Sequence, residues 1–295
     1  MSSSGKGMRV SRRETLTAGA AAWLAAAGGV FSPLFAAPNS RWFKIGACEW
    51  SLGVSDPSCF ALARQIGLDG VQVDLGTQAN DVHLRRSEAQ EAYLAAAREQ
   101  GREIASLALA ILNQVPLKSD PKAAEYLSAS IDVCRALGIR LTMPAFFGAG
   151  ELDMDNREEI DHVVAVLQEI APAAEREGVT IGLENYLSAE ENLDLIDRIG
   201  SPAVKVYYDV GNSTDKGRDI YAEIRLLGEM ICEFHAKDGP HLLGEGRIDF
   251  AEVRRAIDDI DYSGWIVLEA ARPNDLIEDY TAQARFLRRI FPERG

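Results

Sequence analysis

The feature that most limits what this chain can fold into is an alternation. From residue 43 onward, short apolar runs of strand character are each followed by a segment of helical period. The runs are FKIGAC, GVQVDL, EIASLALAI, RLTMPAF, VTIGLEN, VKVYYDV, ICEFHAK and WIVLEA. The pattern predicts helices over about 57–66, 88–100, 122–137, 157–177, 192–199, 219–228, 250–260 and 276–290. Gly67, Gly101, Gly138, Gly178 and Gly200 stand where five of those helices should end, as expected of a residue at ease with positive φ. Strand–helix alternation builds a parallel sheet, and eight units favour a closed (β/α)8 TIM barrel. An open doubly wound sheet is the alternative, but no glycine-rich dinucleotide fingerprint follows the first run. With 295 residues, 47% of them hydrophobic, the chain can bury the core of one large domain.

Four residues able to bind a metal end the last four runs: Glu184, Asp209, His235 and Glu269, at intervals of 25, 26 and 34. Side chains alternate along a strand. If Ile181 and Leu183, Val206 and Tyr208, Cys232 and Phe234, and Ile266 and Leu268 face the helices, all four candidate ligands face the barrel axis. The same parity turns Asp74 inward. It also turns Lys205 and Glu233 inward on adjacent strands, where they are expected to pair, because a lone buried charge is costly. In a parallel barrel the C-terminal strand ends meet at one mouth, where active sites are built. Three carboxylates and an imidazole form a hard, oxygen-rich donor set. It suits one divalent ion, Mn²⁺ first, with Mg²⁺, Co²⁺ and Zn²⁺ as alternatives.

The N-terminus reads differently. SRRETLT precedes the apolar stretch LTAGAAAWLAAAGGVF, the order of a twin-arginine export signal over residues 1–37. The barrel domain is then assigned to 38–295. A periplasmic or otherwise exported protein is expected, membrane-anchored only if the signal is retained, with no stable span in the mature chain. Residues 1–37 hold Lys6, Arg9, Arg12 and Arg13 against Glu14, a net of +3, so the remainder carries −17 of the formal −14. Such a surface repels phosphate backbones, so no nucleic-acid partner is expected; a homo-oligomer stays open. Cys48, Cys59, Cys134 and Cys232 show no close-pair spacing, which gives no zinc knuckle or redox pair, and Cys48 and Cys232 read as small core residues.

GLENY, YYDVGN, FHAKD, LGEGRIDF and VLEA, in this order, resemble the sugar phosphate isomerase/epimerase superfamily, the xylose isomerase-like TIM barrels also called AP endonuclease family 2. The resemblance covers roughly residues 43–290. It implies that Glu184, Asp209, His235 and Glu269 hold one divalent metal, which chelates a carbonyl and a neighbouring hydroxyl of a sugar. It also implies that Glu184 and Glu269, on opposite faces, move protons to and from carbon through a metal-stabilised enediolate. Return of the proton on the other face epimerises, and return at the neighbouring carbon isomerises. A leaving group β to the carbanion is instead eliminated. An unphosphorylated sugar or keto-sugar is expected, given export and the lack of a glycine-rich phosphate cradle. A 3-keto-glycoside lyase is the alternative, and a non-catalytic sugar-binding barrel the third reading. The superfamily's nuclease branch uses many histidines, and this chain has four.

Six further residues are candidates for substrate contact. Glu190 lies six after Glu184, where the epimerase branch places a substrate-binding glutamate; a solvated first-turn residue is the competing reading. Asn212, three after Asp209, stands where relatives carry His or Asn, or is a turn residue after Gly211. Lys237 has inward parity just beyond His235 and could hold a substrate oxygen. His241 and Arg247 belong to the loop GPHLLGEGRIDF and could reach the mouth, while Asp238 is read as shaping that loop. Trp50, ending the first strand, could wall off sugar C–H bonds. His83 and His162 are expected on the surface or in loops.

Overall fold

A computed structural model describes residues 42–293; the expected export signal lies outside the described residues. Eight parallel strands close into a barrel in strict sequence order. They are β1 (Phe43–Cys48), β2 (Gly70–Asp74), β3 (Glu103–Leu109), β4 (Leu141–Pro144), β5 (Thr180–Leu183), β6 (Val204–Asp209), β7 (Ile231–Ala236) and β8 (Gly264–Leu268). The helices are α1 (Cys59–Ile66), α2 (Ser87–Gln100), α3 (Pro121–Leu137), α4 (Arg157–Glu177), α5 (Ala189–Ile199), α6 (Val210–Asp215), α7 (Ile220–Leu227), α8 (Phe250–Asp259) and α9 (Leu276–Ile290). Each unit begins with its strand and returns over the outside by a helix, the only compact way to join parallel neighbours. The five glycines expected at helix ends all occupy left-handed C-cap positions.

The strands' outward residues, among them Ile45, Val73, Leu107, Ile181, Val206 and Ile266, join the helices' buried faces in one continuous hydrophobic core. Two smaller clusters fill the barrel itself, one around Ala108, Met143 and Tyr207 and one around Cys48, Ala105 and Val267. A ninth helix was not expected from period alone: α6 follows β6 directly. Asp209 caps it, Oδ1 accepting from the backbone N–H of Gly211 at 2.7 Å and Asn212 at 2.9 Å. Among the described residues, no helix is long and apolar enough to cross a membrane.

Two strands break the alternation. The β2–β3 register slips between Val71 and Val73, and the β6–β7 register slips between Val206 and Tyr207. Each slip places an extra residue on one strand, as a β-bulge does. On β7 the result is that both Cys232 and Glu233 turn inward. Cys232 therefore does not face the helices as parity predicted. Its Sγ packs where a Cβ on Gly182 would fall, 2.7 Å away, so only glycine fits opposite it. The expected Lys205–Glu233 pair is also absent. Lys205 Nζ runs to the foot of the barrel and donates to the Glu229 carbonyl at 2.8 Å. Glu233 accepts instead from Ser106 at 2.6 Å and Tyr207 at 2.9 Å. The long, flexible lysine reaches water while the short carboxylate is satisfied inside, which avoids desolvating a second charge.

Candidate metal centre and active site

At the C-terminal mouth, Glu184, Asp209, His235 and Glu269 each offer one ligand atom, all within 4.8 Å of one another. They arrive from β5, β6, β7 and β8, the first and last standing just past their strands. His235 Nδ1 lies 2.8 Å from Glu184 Oε1, 3.8 Å from Asp209 Oδ2 and 3.9 Å from Glu269 Oε2. Asp209 spends Oδ1 on the α6 cap and leaves Oδ2 buried without a hydrogen bond. Lys237 Nζ is 2.9 Å from that oxygen, at ion-pair range but off the hydrogen-bonding direction, and 2.6 Å from Glu269 Oε2. Three carboxylates thus converge in a buried space with one ammonium among them. An orphaned buried oxygen and an excess of negative charge fit a divalent cation, and the donor set fits a hard one.

The two glutamates are electrostatically unequal. Burial raises the Glu184 carboxyl above its ordinary value, and Asp209 is raised by burial as well. Burial would raise Glu269 too, but the charges of His235 and Lys237 and the Lys237 and Trp50 hydrogen bonds outweigh it, holding Glu269 down at about 2. Two carboxyls of one chemical type that their surroundings push in opposite directions are suited to giving and taking a proton. Trp50 orients the ionised one: its Nε1–H donates to Glu269 Oε1 at 2.9 Å. Lys237 is in turn held by close packing. A Cβ on Gly211 would sit 2.3 Å from Lys237 Cγ, so the lysine stem needs glycine beneath it.

The mouth opens into a cavity of about 350 Å³ lined by Trp50, Asp74, Asn113, Met143, Phe147, Glu184 and Glu269, among others. That volume is in the range of small-molecule sites. No lysine, arginine or histidine lines it. A wider cavity of about 560 Å³ opens at the opposite, N-terminal face, between Trp42, Lys44, Arg140 and Trp265. It holds none of the four ligand candidates, and barrel chemistry belongs to the other end.

The remaining sequence candidates separate. Asn212 is buried on α6, its backbone bonded to Asp209. Glu190 is exposed in the first turn of α5, away from the mouth lining. His241 is exposed, and so is Arg247, which pairs with Asp215. Asp238 organises their loop, accepting from the N–H groups of Gly244, Gly246, Arg247 and Ile248. Asp74 lines the mouth, with its carboxylate on the backbone of Gly76 and Ala110. His162 is exposed, whereas His83 is half-buried against Tyr93.

Three residues close to the site escaped the sequence reading. Cys48 and Gln72 touch the His235 ring, with Sγ 3.3 Å and Oε1 2.7 Å from Nε2. The inward parity of Gln72 in GVQVDL was the available signal. Glu49 is fully buried outside the barrel wall, where parity expects an apolar residue. Its oxygens accept from the Asp74 backbone at 3.1 Å and the Tyr93 hydroxyl at 3.0 Å. Burial pushes its carboxyl up to about 8. An unfolded glutamate titrates near 4.3, so the folded chain takes up a proton between the two values. The stability this confers is complete below the unfolded value and is lost as pH rises through about 8. Urea titration at pH 5 and pH 9 is expected to show the wild type losing on the order of 3 kcal/mol more than Glu49→Gln. Equal losses in both proteins would refute the assignment.

The family model described as xylose isomerase-like TIM barrel matches residues 60–290. The chain is 28% identical over 251 residues to the 2-epi-5-epi-valiolone 7-phosphate 2-epimerase of an Actinoplanes species, covering 82% of this chain and 91% of that one. Its fold is similar to that of D-psicose 3-epimerase from Clostridium cellulolyticum H10, solved with D-tagatose, with a TM-score of 0.72 at 19% identity over 84% of this chain and 99% of that one. The 3-keto-D-glucoside 4-epimerase of Escherichia coli also matches, with a TM-score of 0.68 at 15% identity over 84% and 99% of the two chains.

Proposed function

This chain belongs to the xylose isomerase-like TIM barrel family, and we propose that it is a divalent-metal-dependent isomerase or epimerase of an unphosphorylated sugar or keto-sugar. The observation that carries the reading is the convergence of Glu184, Asp209, His235 and Glu269 at the barrel mouth. Several relatives named as epimerases of sugars and sugar phosphates support an isomerase.

A proton α to a carbonyl is too weakly acidic for a free carboxylate to remove quickly. A divalent ion held by the four residues, Mn²⁺ by preference, would supply Lewis acidity at the carbonyl oxygen. Glu269, ionised and fixed by Trp50 and Lys237, is the base. Glu184, whose burial favours taking up a proton, is the group that returns it. Lys237 places a positive charge 2.6 Å from Glu269, and burial of its ammonium is more than offset by Asp209 and Glu269. Trp50 and Phe147 give the mouth apolar walls that exclude water from the reacting carbon.

Asp74, Glu184 and Glu269 in the mouth lining, with Lys237 already paired to Glu269, disfavour a phosphate dianion beside them. The apolar side formed by Met143 and Phe147 would also accept an aglycone, which keeps elimination from a 3-keto-glycoside as the second reading. NMR of sugars and 3-keto-glycosides in D₂O, with Mn²⁺-loaded and metal-free protein, tests both. Metal-dependent deuteration at carbon without aglycone loss is the expected result. Aglycone release would replace the isomerase by the lyase, and no exchange on any substrate would remove both in favour of a sugar-binding barrel.

A further inference from the structure

A hydrogen-bonded file runs down the barrel axis from the metal-binding candidates to the foot. His235 Nε2 lies 2.7 Å from Gln72 Oε1, Gln72 Nε2 lies 3.0 Å from Ser106 Oγ, and Ser106 Oγ lies 2.6 Å from Glu233 Oε1. The Tyr207 hydroxyl meets the same Glu233 oxygen at 2.9 Å. Gln72, Ser106, Glu233 and His235 are all buried, so no water is needed to explain the contacts. The two β-bulges assemble this file, by turning Ser106 in beside Ala105 and Glu233 in beside Cys232.

The file has a direction. Glu233 Oε1 has two hydroxyl neighbours and serves as the acceptor oxygen for both, whichever state the other oxygen is in. Ser106 has a single proton and gives it to Glu233, so toward Gln72 it can only accept. Gln72 must therefore point its NH₂ at Ser106 and its carbonyl oxygen at His235. The Cys48 thiol donates to the same carbonyl oxygen at 3.2 Å and holds the amide from the other side. An imidazole facing a carbonyl oxygen carries its proton on that nitrogen.

We infer that Gln72, set from below by Ser106 and Glu233, is a positioning residue that holds the His235 Nε2 proton and so leaves Nδ1 as the nitrogen that faces Glu184, Asp209 and Glu269. The inference rests on the metal reading given above for its purpose, but not for its geometry. Partners of this kind orient a ligating imidazole and raise its basicity, and losing one typically costs about 10–100-fold in metal affinity. The role extends to Glu233, which touches none of the four ligands in the hydrogen-bond network and acts three hydrogen bonds away from His235, through Ser106 and Gln72.

The test uses the full chain and two readouts: Mn²⁺ affinity by calorimetry, and the ring ¹⁵N shifts of His235 in metal-free protein. Gln72→Leu and Ser106→Ala are expected to weaken Mn²⁺ binding by about 10–100-fold and about 3–10-fold. Both are expected to broaden or lose the Nε2–H signature. Glu233→Gln, whose amide oxygen can still accept from Ser106 and Tyr207, is expected to retain wild-type shifts and affinity, while Glu233→Ala is not. Ser106→Ala removes a single oxygen and guards against a failure of Gln72→Leu to fold. Wild-type shifts and affinity in both Gln72→Leu and Ser106→Ala would overturn the inference. If wild type itself bound no Mn²⁺, the metal reading would fall, and the shifts in metal-free protein would still decide whether Gln72 sets the tautomer.

Discussion

Glu269→Gln is expected to lower turnover by about 10²–10⁴-fold, the usual contribution of a positioned acid or base. The loss should appear in kcat, since the amide can still occupy the space and accept from Trp50. Burial opposes the charge of Glu269, and His235, Lys237 and Trp50 more than restore it, so the folded chain favours its ionised form. Glu184→Gln should cost a similar factor for the opposite reason. Glu184 is the carboxyl that burial pushes toward the protonated form, and its replacement leaves the base intact without the group that returns the proton. The two variants are distinguishable by deuterium exchange measured apart from net turnover. Glu184→Gln should still exchange substrate hydrogen while failing to invert, whereas Glu269→Gln should do neither. Identical exchange and turnover losses in both would sink the division of labour, and wild-type turnover in either would sink the pair.

Chelation is expected to abolish turnover and lower the melting temperature together. Asp209 Oδ2 is buried without a hydrogen bond, beside two further carboxylates and only one ammonium. A divalent cation binding the folded chain stabilises it by about 2.7 kcal/mol at a hundred times its dissociation constant. For a domain of this size that corresponds to roughly 5–10 °C in the melting temperature. Adding Mn²⁺ to stripped protein should restore both properties at one ion per chain, and Asp209→Asn should blunt the thermal shift. A melting temperature unmoved by millimolar Mn²⁺, with turnover intact after chelation, would refute the metal centre.

Much of this architecture is local in origin. Helix period, glycine at helix ends and period-two strands are properties of neighbouring residues, so the eight units and five of the helix ends are legible directly. So is the inward direction of Glu184, Asp209, His235 and Glu269, because parity near a strand's C-terminal end survives when that end is regular. Parity failed at Cys232, and with it the Lys205–Glu233 pairing, because a bulge depends on how two strands register against each other. No residue on β7 announces it. Glu49 escaped for a similar reason. A carboxyl on the helix-facing side is acceptable only because Tyr93, forty-four residues on, and the Asp74 backbone come to meet it.

The loop candidates show the same boundary from the other side. Lys237 and Trp50 sit on or next to strand ends, and the structure brings both onto Glu269. Glu190, His241 and Arg247 sit on a helix turn and a loop, whose direction is set by packing rather than by period, and all three are exposed. By itself, then, the sequence determined a parallel (β/α)8 barrel with four side chains able to bind a metal aimed at one mouth, because alternation and helical period act over a few residues. Only the tertiary structure decided what orients them: the indole and ammonium on Glu269, and the file from His235 through Gln72 and Ser106 to Glu233. Those contacts join β1, β2, β3, β7 and β8 across the barrel, and they exist only once the strands have closed and slipped into register.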